Sequence, residues 1–197
     1  MSFVDSFYSL TANLSNSDKG VYKKINFKTA KHPNETFEHL YARILSFLHS
    51  YEDEIEFSRG LFTPEEPTIQ VKNFNNDTTT WHYVGLPSKK TVKKCLNSST
   101  IENRSIYFYT TEQVKNFCFD MRGSKTNWLK DITFYLINPI FVEELHGLKS
   151  ERMKWEVSIC DSHLFINNQE GDSSVYIEKI DIWAAYQECL QSFDASA

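Results

Sequence analysis

Hydrophobic and polar residues change period along the chain, and each change marks an element. Aromatic and β-branched residues dominate from Phe3 to Leu14, Ser15-Asn16-Ser17-Asp18-Lys19-Gly20 is dense in turn formers, and Val21 to Ala30 alternates. In this second run Ile25 and Phe27 share one face while Tyr22, Lys24, Asn26 and Lys28 share the other, which predicts a half-buried N-terminal β-hairpin. Its lysines are either an ordinary solvated face or part of a phosphate-facing surface. Pro33 stops the strand, after which Phe37, Leu40, Tyr41, Ile44, Leu45, Phe47 and Leu48 recur at three- and four-residue spacing, the apolar stripe of a core helix. With Asn34 as N-cap and Glu35 in the first turn, the helix is expected to end near Tyr51.

Three strands are expected next, Ile55 to Arg59, Thr68 to Lys72 and Thr79 to Val84, the last two closed into a hairpin by Asn75-Asn76-Asp77. Ser88 then caps a helix with Val92, Cys95 and Leu96 inward and Lys89, Lys90, Lys93 and Lys94 outward. Ile106 to Tyr109 reads as a strand, and Thr110 or Thr111 caps a helix through Phe119 with Glu112 in its first turn. A strand over Ile132 to Leu136 and a helix from Pro139 to Leu148 follow. The chain closes with strands over Trp155 to Cys160, His163 to Asn167 and Ser174 to Trp183, and a loose end from Ser192. This order gives an α+β class with a mixed sheet and flanking helices. The sequence shows no repeat, low-complexity tract or linker, so one domain over residues 1–197 is expected.

Composition changes this picture at three points. The net charge of −5, from 21 basic and 26 acidic residues, offers no bulk attraction to nucleic acid or anionic lipid, so contact with either requires a local basic patch. Cys95, Cys118, Cys160 and Cys189 form no CxxC pair and read as reduced, mostly buried thiols rather than zinc ligands. The start of the chain has no secretion-signal pattern and nowhere do eighteen apolar residues run together, so a cytoplasmic protein without a membrane partner is expected.

Chemistry concentrates between Phe57 and Pro87. Glu65 and Glu66 stand at the mouth of a strand with Lys93 and Lys94 on the following helix, an arrangement that a hard divalent cation and a phosphate would share. Arg59 suits a phosphate through its guanidinium fork, and suits Glu65, Glu66 or Glu35 equally as an ion pair. Glu35 is either an acid matched to the helix dipole or a metal-site acid. His32 reads as a turn histidine rather than a base.

From Glu35 to Tyr109 the elements run helix, three strands, helix, strand. This αβββαβ order resembles the core of the restriction endonuclease-like, or PD-(D/E)XK, nuclease superfamily. Lys31-His32-Pro33-Asn34-Glu35-Thr36, Phe57-Ser58-Arg59-Gly60-Leu61, Glu65-Glu66-Pro67 and Trp81-x-x-x-Gly85-Leu86-Pro87, with Lys93-Lys94 after it, look like the YaeQ family of bacterial proteins. The resemblance covers most of the chain and is strongest from Lys31 to Lys94. It implies a nuclease-like core over about residues 31–110, with an acid at the second core strand (Glu65 or Glu66), a second on the third strand, and a lysine near the attacking water. Relatives typically show Trp-x-Glu-x-Gly on the third strand, and the matching position here is Tyr83. A phenol is neutral at pH 7 and ligates magnesium poorly.

Two functions follow from the resemblance. One is a weak Mg²⁺-dependent phosphodiesterase or nuclease with a degenerate site, in which Glu66, with Glu35 or Glu65, holds the metal, Lys93 or Lys94 approaches the phosphate and Arg59 clamps it. The alternative is a catalytically inactive binding or regulatory protein that uses the same scaffold to engage a nucleic-acid or protein partner.

Overall fold

The N-terminal alternation forms the expected hairpin: β1 (Ser6–Asn16) and β2 (Val21–Lys31) pair antiparallel with Leu10 opposite Phe27 and Ala12 opposite Ile25. Gly20, at φ +67°, supplies a left-handed residue of the reversal. The structure, a computed structural model, describes residues 6–58, 66–122, 127–145, 150–169 and 171–194. Packing divides the chain into two compact units, Met1–Tyr51 with Ile137–Glu178, and Glu52–Leu136 with Lys179–Ala197. Each unit is assembled from two separate stretches, so no linker composition marks a boundary.

In the first unit the hairpin joins three later strands, β8 (Arg152–Cys160), β9 (His163–Asn168) and β10 (Gly171–Lys179), in the order β2-β1-β8-β9-β10. β1 runs parallel to β8 and the remaining pairs are antiparallel. One face of the hairpin packs on α1 (Phe37–Ser50): Phe27 lies 4.6 Å from Phe47, and Tyr8 meets Phe37 edge-on at 6.0 Å. Leu40, Tyr41, Ile44, Leu45 and Leu48 of α1 are buried, as their period predicts. α4 (Pro139–Leu145) also contacts α1, and the rest of the expected helix to Leu148 lies outside the described residues. The start of α1 corrects the sequence reading. Thr36, extended at φ −76° and ψ 159°, is the N-cap and accepts from the His39 N–H at 3.2 Å, so Glu35 precedes the helix instead of lying in its first turn.

The second unit holds β3 (Glu56–Phe57), β4 (Ile69–Lys72), β5 (Thr78–Val84), β6 (Asn103–Phe108) and β7 (Thr133–Ile137), adjacent in that order. β3, β4 and β5 pair antiparallel, whereas β6 and β7 continue parallel to β5. In the β4–β5 turn, the Asn73 side chain accepts from the Asn75 and Asp77 N–H groups, each at 2.9 Å, and Asn76 takes φ +65°. α2 (Lys89–Asn97) and α3 (Thr111–Asp120) begin at the expected caps, Ser88 and Thr110. A short 3-10 helix, Asn127–Asp131, leads to β7. Trp81, Val92, Cys95, Ile106, Phe108, Phe117, Phe134 and Tyr186 are core residues.

The end of the chain is a second correction. β10 stops at Lys179, and the Asp181 carboxylate accepts from the N–H groups of Trp183 and Ala184 at 3.0 and 3.1 Å to start α5 (Ile182–Asp194). The strand expected through Trp183 therefore ends at Lys179, and the end expected to be loose from Ser192 is helical to Asp194, with 195–197 outside the described residues. The α+β class holds, and the order α1-β3-β4-β5-α2-β6 matches the expected succession. Among the described residues no helix is long and apolar enough to cross a membrane. None of the four cysteines is in a disulfide: Cys95 and Cys118 are buried, Cys189 is half-buried and Cys160 is exposed.

Candidate functional site

Glu35 sits in a closed network inside the first unit. Its Oε1 accepts from Arg43 Nε at 2.7 Å and lies 2.8 Å from His39 Nδ1, while Oε2 accepts from Arg43 Nη2 at 3.0 Å and the His32 N–H at 3.2 Å. Arg43 also donates to Thr29 Oγ1 at 3.0 Å and to the Ala30 carbonyl at 2.8 Å, tying the end of β2 to the turn before α1. The two side chains are 1% and 4% exposed. Burial raises the Glu35 pKa, but the His39 hydrogen bond and the Arg43 charge outweigh it and hold the carboxyl below its ordinary value. Both oxygens are thus engaged by protein donors. His32 is a turn residue, as expected: its ring accepts from the Asn34 N–H at 3.2 Å and its carbonyl from the Glu35 N–H at 2.8 Å. Arg43 was missed by sequence reasoning, although a cation flanked by Leu40, Tyr41, Ile44 and Leu45 on a core helix was its signal.

In the second unit Glu66 lines a cleft of about 360 Å³ with Gln70, Lys72, Asp77, Trp81 and Lys94. The backbone here is pinned from both sides. Ser58 Oγ donates to the Pro67 carbonyl, the Ser58 N–H to the Thr68 carbonyl at 3.1 Å, and the Val84 N–H to Thr68 Oγ1 at 3.0 Å. Glu56 accepts from Gln70 Nε2 at 3.0 Å and lies 3.4 Å from Lys72 Nζ at the rim. Of the sequence-predicted residues, the cleft brings Glu66 and Lys94 together; Lys93 is exposed and does not line it. Glu35 belongs to the first unit. Arg59 and Glu65 lie outside the described residues.

Tyr83 and Trp81 share a face of β5, their rings stacked at 5.6 Å with 22° between planes. Both pack on the core of the second unit. Burial raises the Tyr83 pKa, so the phenol stays neutral. On the opposite face His82 Nδ1 lies 2.5 Å from Ser105 Oγ, both residues buried. This pair was not foreseen, and it follows from the parallel register that sets His82 beside Ser105. Elsewhere Asp18, Cys160 and Asp161 converge at the surface of the first unit. Asp18 accepts there from the N–H groups of Asp161 and Ser162 at 2.8 and 3.0 Å, bracing two residues at positive φ.

A magnesium ion of the kind the nuclease resemblance implies needs oxygen ligands and surplus negative charge. Glu66 and Asp77 share the cleft lining with the cations Lys72 and Lys94, Lys72 also lying 3.4 Å from Glu56, and the Glu35 oxygens are taken up by Arg43, His39 and the His32 N–H. The described residues do not fit that ion.

Comparison with known proteins places this architecture. The family model described as YaeQ protein matches residues 1–177. The chain belongs to the YaeQ family. It is 20% identical over 176 residues to the uncharacterized protein YaeQ of Escherichia coli K12, covering 89% of this chain and 95% of that one. The YaeQ of Salmonella typhi is 19% identical over 178 residues, covering 90% and 96%. Among solved structures, the YaeQ protein of Xanthomonas axonopodis pv. citri superposes with a TM-score of 0.80 at 22% identity, covering 89% of this chain and 98% of that one. The YaeQ protein of Pseudomonas syringae gives 0.77 at 24%, covering 89% and 96%. At these identities the likeness establishes the YaeQ fold alone.

Proposed function

We propose that this YaeQ-family chain is a non-hydrolytic binding protein that keeps a variation of the PD-(D/E)XK core without its metal chemistry, with the Glu66–Lys94 cleft as a recognition site. The observation that carries this reading is the fate of the acid positions. Glu35 is spent on a buried ion pair with Arg43, and position 83 holds a tyrosine stacked on Trp81. Among the described residues the cleft sets two carboxylates, Glu66 and Asp77, among two ammoniums, Lys72 and Lys94, with Gln70 beside them, a lining that supports recognition by hydrogen bonding and charge pairing.

A thermal-shift titration with MgCl₂ at constant ionic strength tests the reading, since a ligand that binds only the folded state raises its stability. Wild type and Glu66→Ala should melt alike across the titration. A magnesium-specific rise in Tm that Glu66→Ala abolishes would overturn the proposal.

A further inference from the structure

The face of the first unit's sheet opposite α1 is exposed along β2, β8, β9 and β10 and half-buried on most of β1, and its side chains fall into rows set by the register. One row runs Lys28, Ser9, Arg152; the next Asn26, Thr11, Lys154; the next Lys24, Asn13, Glu156, Asn167, Asp172. Then come Tyr22, Ser15, Ser158, Phe165, Ser174, and finally Cys160, His163, Tyr176. The first rows are cationic and the last are aromatic. Tyr22 is 70% exposed, Phe165 50% and Tyr176 41%, and the His163 ring stacks on Tyr176 at 4.5 Å. Large rings on a sheet face normally mark a covered surface; here Phe165 is flanked across the sheet by the small Ser158 and Ser174, while the His163 ring lies near it along β9 at 6.3 Å.

We infer that this face binds single-stranded nucleic acid, an identification of the partner that rests on the binding-protein reading above. Exposed aromatics stack on unpaired bases whatever their sequence, while neighbouring cations follow the phosphates. Lys154 lies four residues from Ser158 along β8, about 13 Å at the strand rise, which separates the cationic rows from the aromatic ones by a few nucleotides. The acids between them are engaged within the sheet: Glu156 accepts from Asn13 Nδ2 at 2.7 Å and Asp172 from Asn167 Nδ2 at 2.5 Å. At the cationic end Arg152 and Lys154 border a cavity of about 190 Å³ with Ser150, Asn168, Gln169 and the apolar Met153 and Trp155, a recess with a cationic and amide rim that suits a phosphate or a base edge. The chain's net charge of −5 makes this a local patch, so binding should be weak at physiological salt and steeply salt-dependent.

Fluorescence anisotropy of the full chain with labelled twelve-nucleotide U and dT oligomers, and a duplex control, tests the inference, with the oligomer recovered on a gel afterwards. Saturable binding to the single strands is expected, weakened about tenfold or more in the double variant Phe165→Ala with Tyr176→Ala. Arg152→Gln with Lys154→Gln should lower the log–log salt slope by about 1.4, from about 0.7 per single-strand phosphate contact. All four side chains are exposed, so the variants should keep the wild-type circular dichroism. Absence of binding, equal binding of the duplex, or an unchanged affinity in the aromatic variant would overturn the inference while leaving the non-hydrolytic reading intact. Binding followed by cleavage of the oligomer would do the reverse.

Discussion

Replacing Arg43 with methionine should unfold the first unit far more readily than the loss of one surface ion pair. Glu35 and Arg43 are 1% and 4% exposed, and the guanidinium makes two bonds to that carboxylate and two more to Thr29 and Ala30. Methionine fills similar volume but leaves the buried carboxylate with only His39 and the His32 N–H, and orphans the Ala30 carbonyl. Breaking a buried pair on one side costs about 3–5 kcal/mol, against about 0–1 kcal/mol for an exposed pair. For a chain of this length that corresponds to a fall in Tm of roughly 6–20 °C. Scanning calorimetry of Arg43→Met, Glu35→Gln and the double variant separates the pair term from lost packing. The double variant should lose about 2 kcal/mol less than the sum of the singles, because each single leaves a partner stranded. Additive losses, or a loss under about 1 kcal/mol for Arg43→Met, would refute the network as the organiser of this unit.

Three further outcomes follow. His49 is held neutral, its pKa lowered to about 4 from 6.5 by burial first and by the Lys19 charge second. The unfolded chain therefore takes up the proton first on acidification, and stability complete above about pH 6.5 is lost as pH falls towards 4. About 2 kcal/mol should go between pH 7 and 5 in urea unfolding, and His49→Leu should flatten that fall. Tyr83→Glu should cost about 1–3 kcal/mol, since it places a carboxyl against Trp81 and the second unit's core; an unchanged melting curve would contradict that packing. Asp181→Ala should cost about 1 kcal/mol by removing the α5 cap, read by denaturant midpoint, and no loss would argue against the cap.

The strands and helices were largely legible because each buries one face, so apolar period and register carry the same information. The misreadings arose where two local preferences competed. Asn34 and Thr36 are both good caps, and Thr36 prevails because the Glu35 carboxylate, bound to the His32 N–H, holds the intervening residues in a turn. Ile180, Ile182 and Trp183 are strand formers, which hid the helical spacing of Ile182, Tyr186, Cys189 and Leu190 behind Asp181. Glu66 and Lys94 line one cleft, as the strand–helix order allows, whereas nothing in the sequence pattern pointed to the partner of Glu35. Arg43 reaches it from eight residues away across a loop and a helix start, a distance that no side-chain periodicity spans.

The binding-protein reading meets its most direct test in a single-turnover assay in which excess protein, MgCl₂ and an end-labelled single-stranded oligonucleotide are incubated together and resolved on a denaturing gel. The oligonucleotide should be recovered at full length from both wild type and Glu66→Ala. Shortened products that need magnesium and vanish in Glu66→Ala would contradict it, and would assign the Glu66–Lys94 cleft to metal-dependent phosphodiester cleavage.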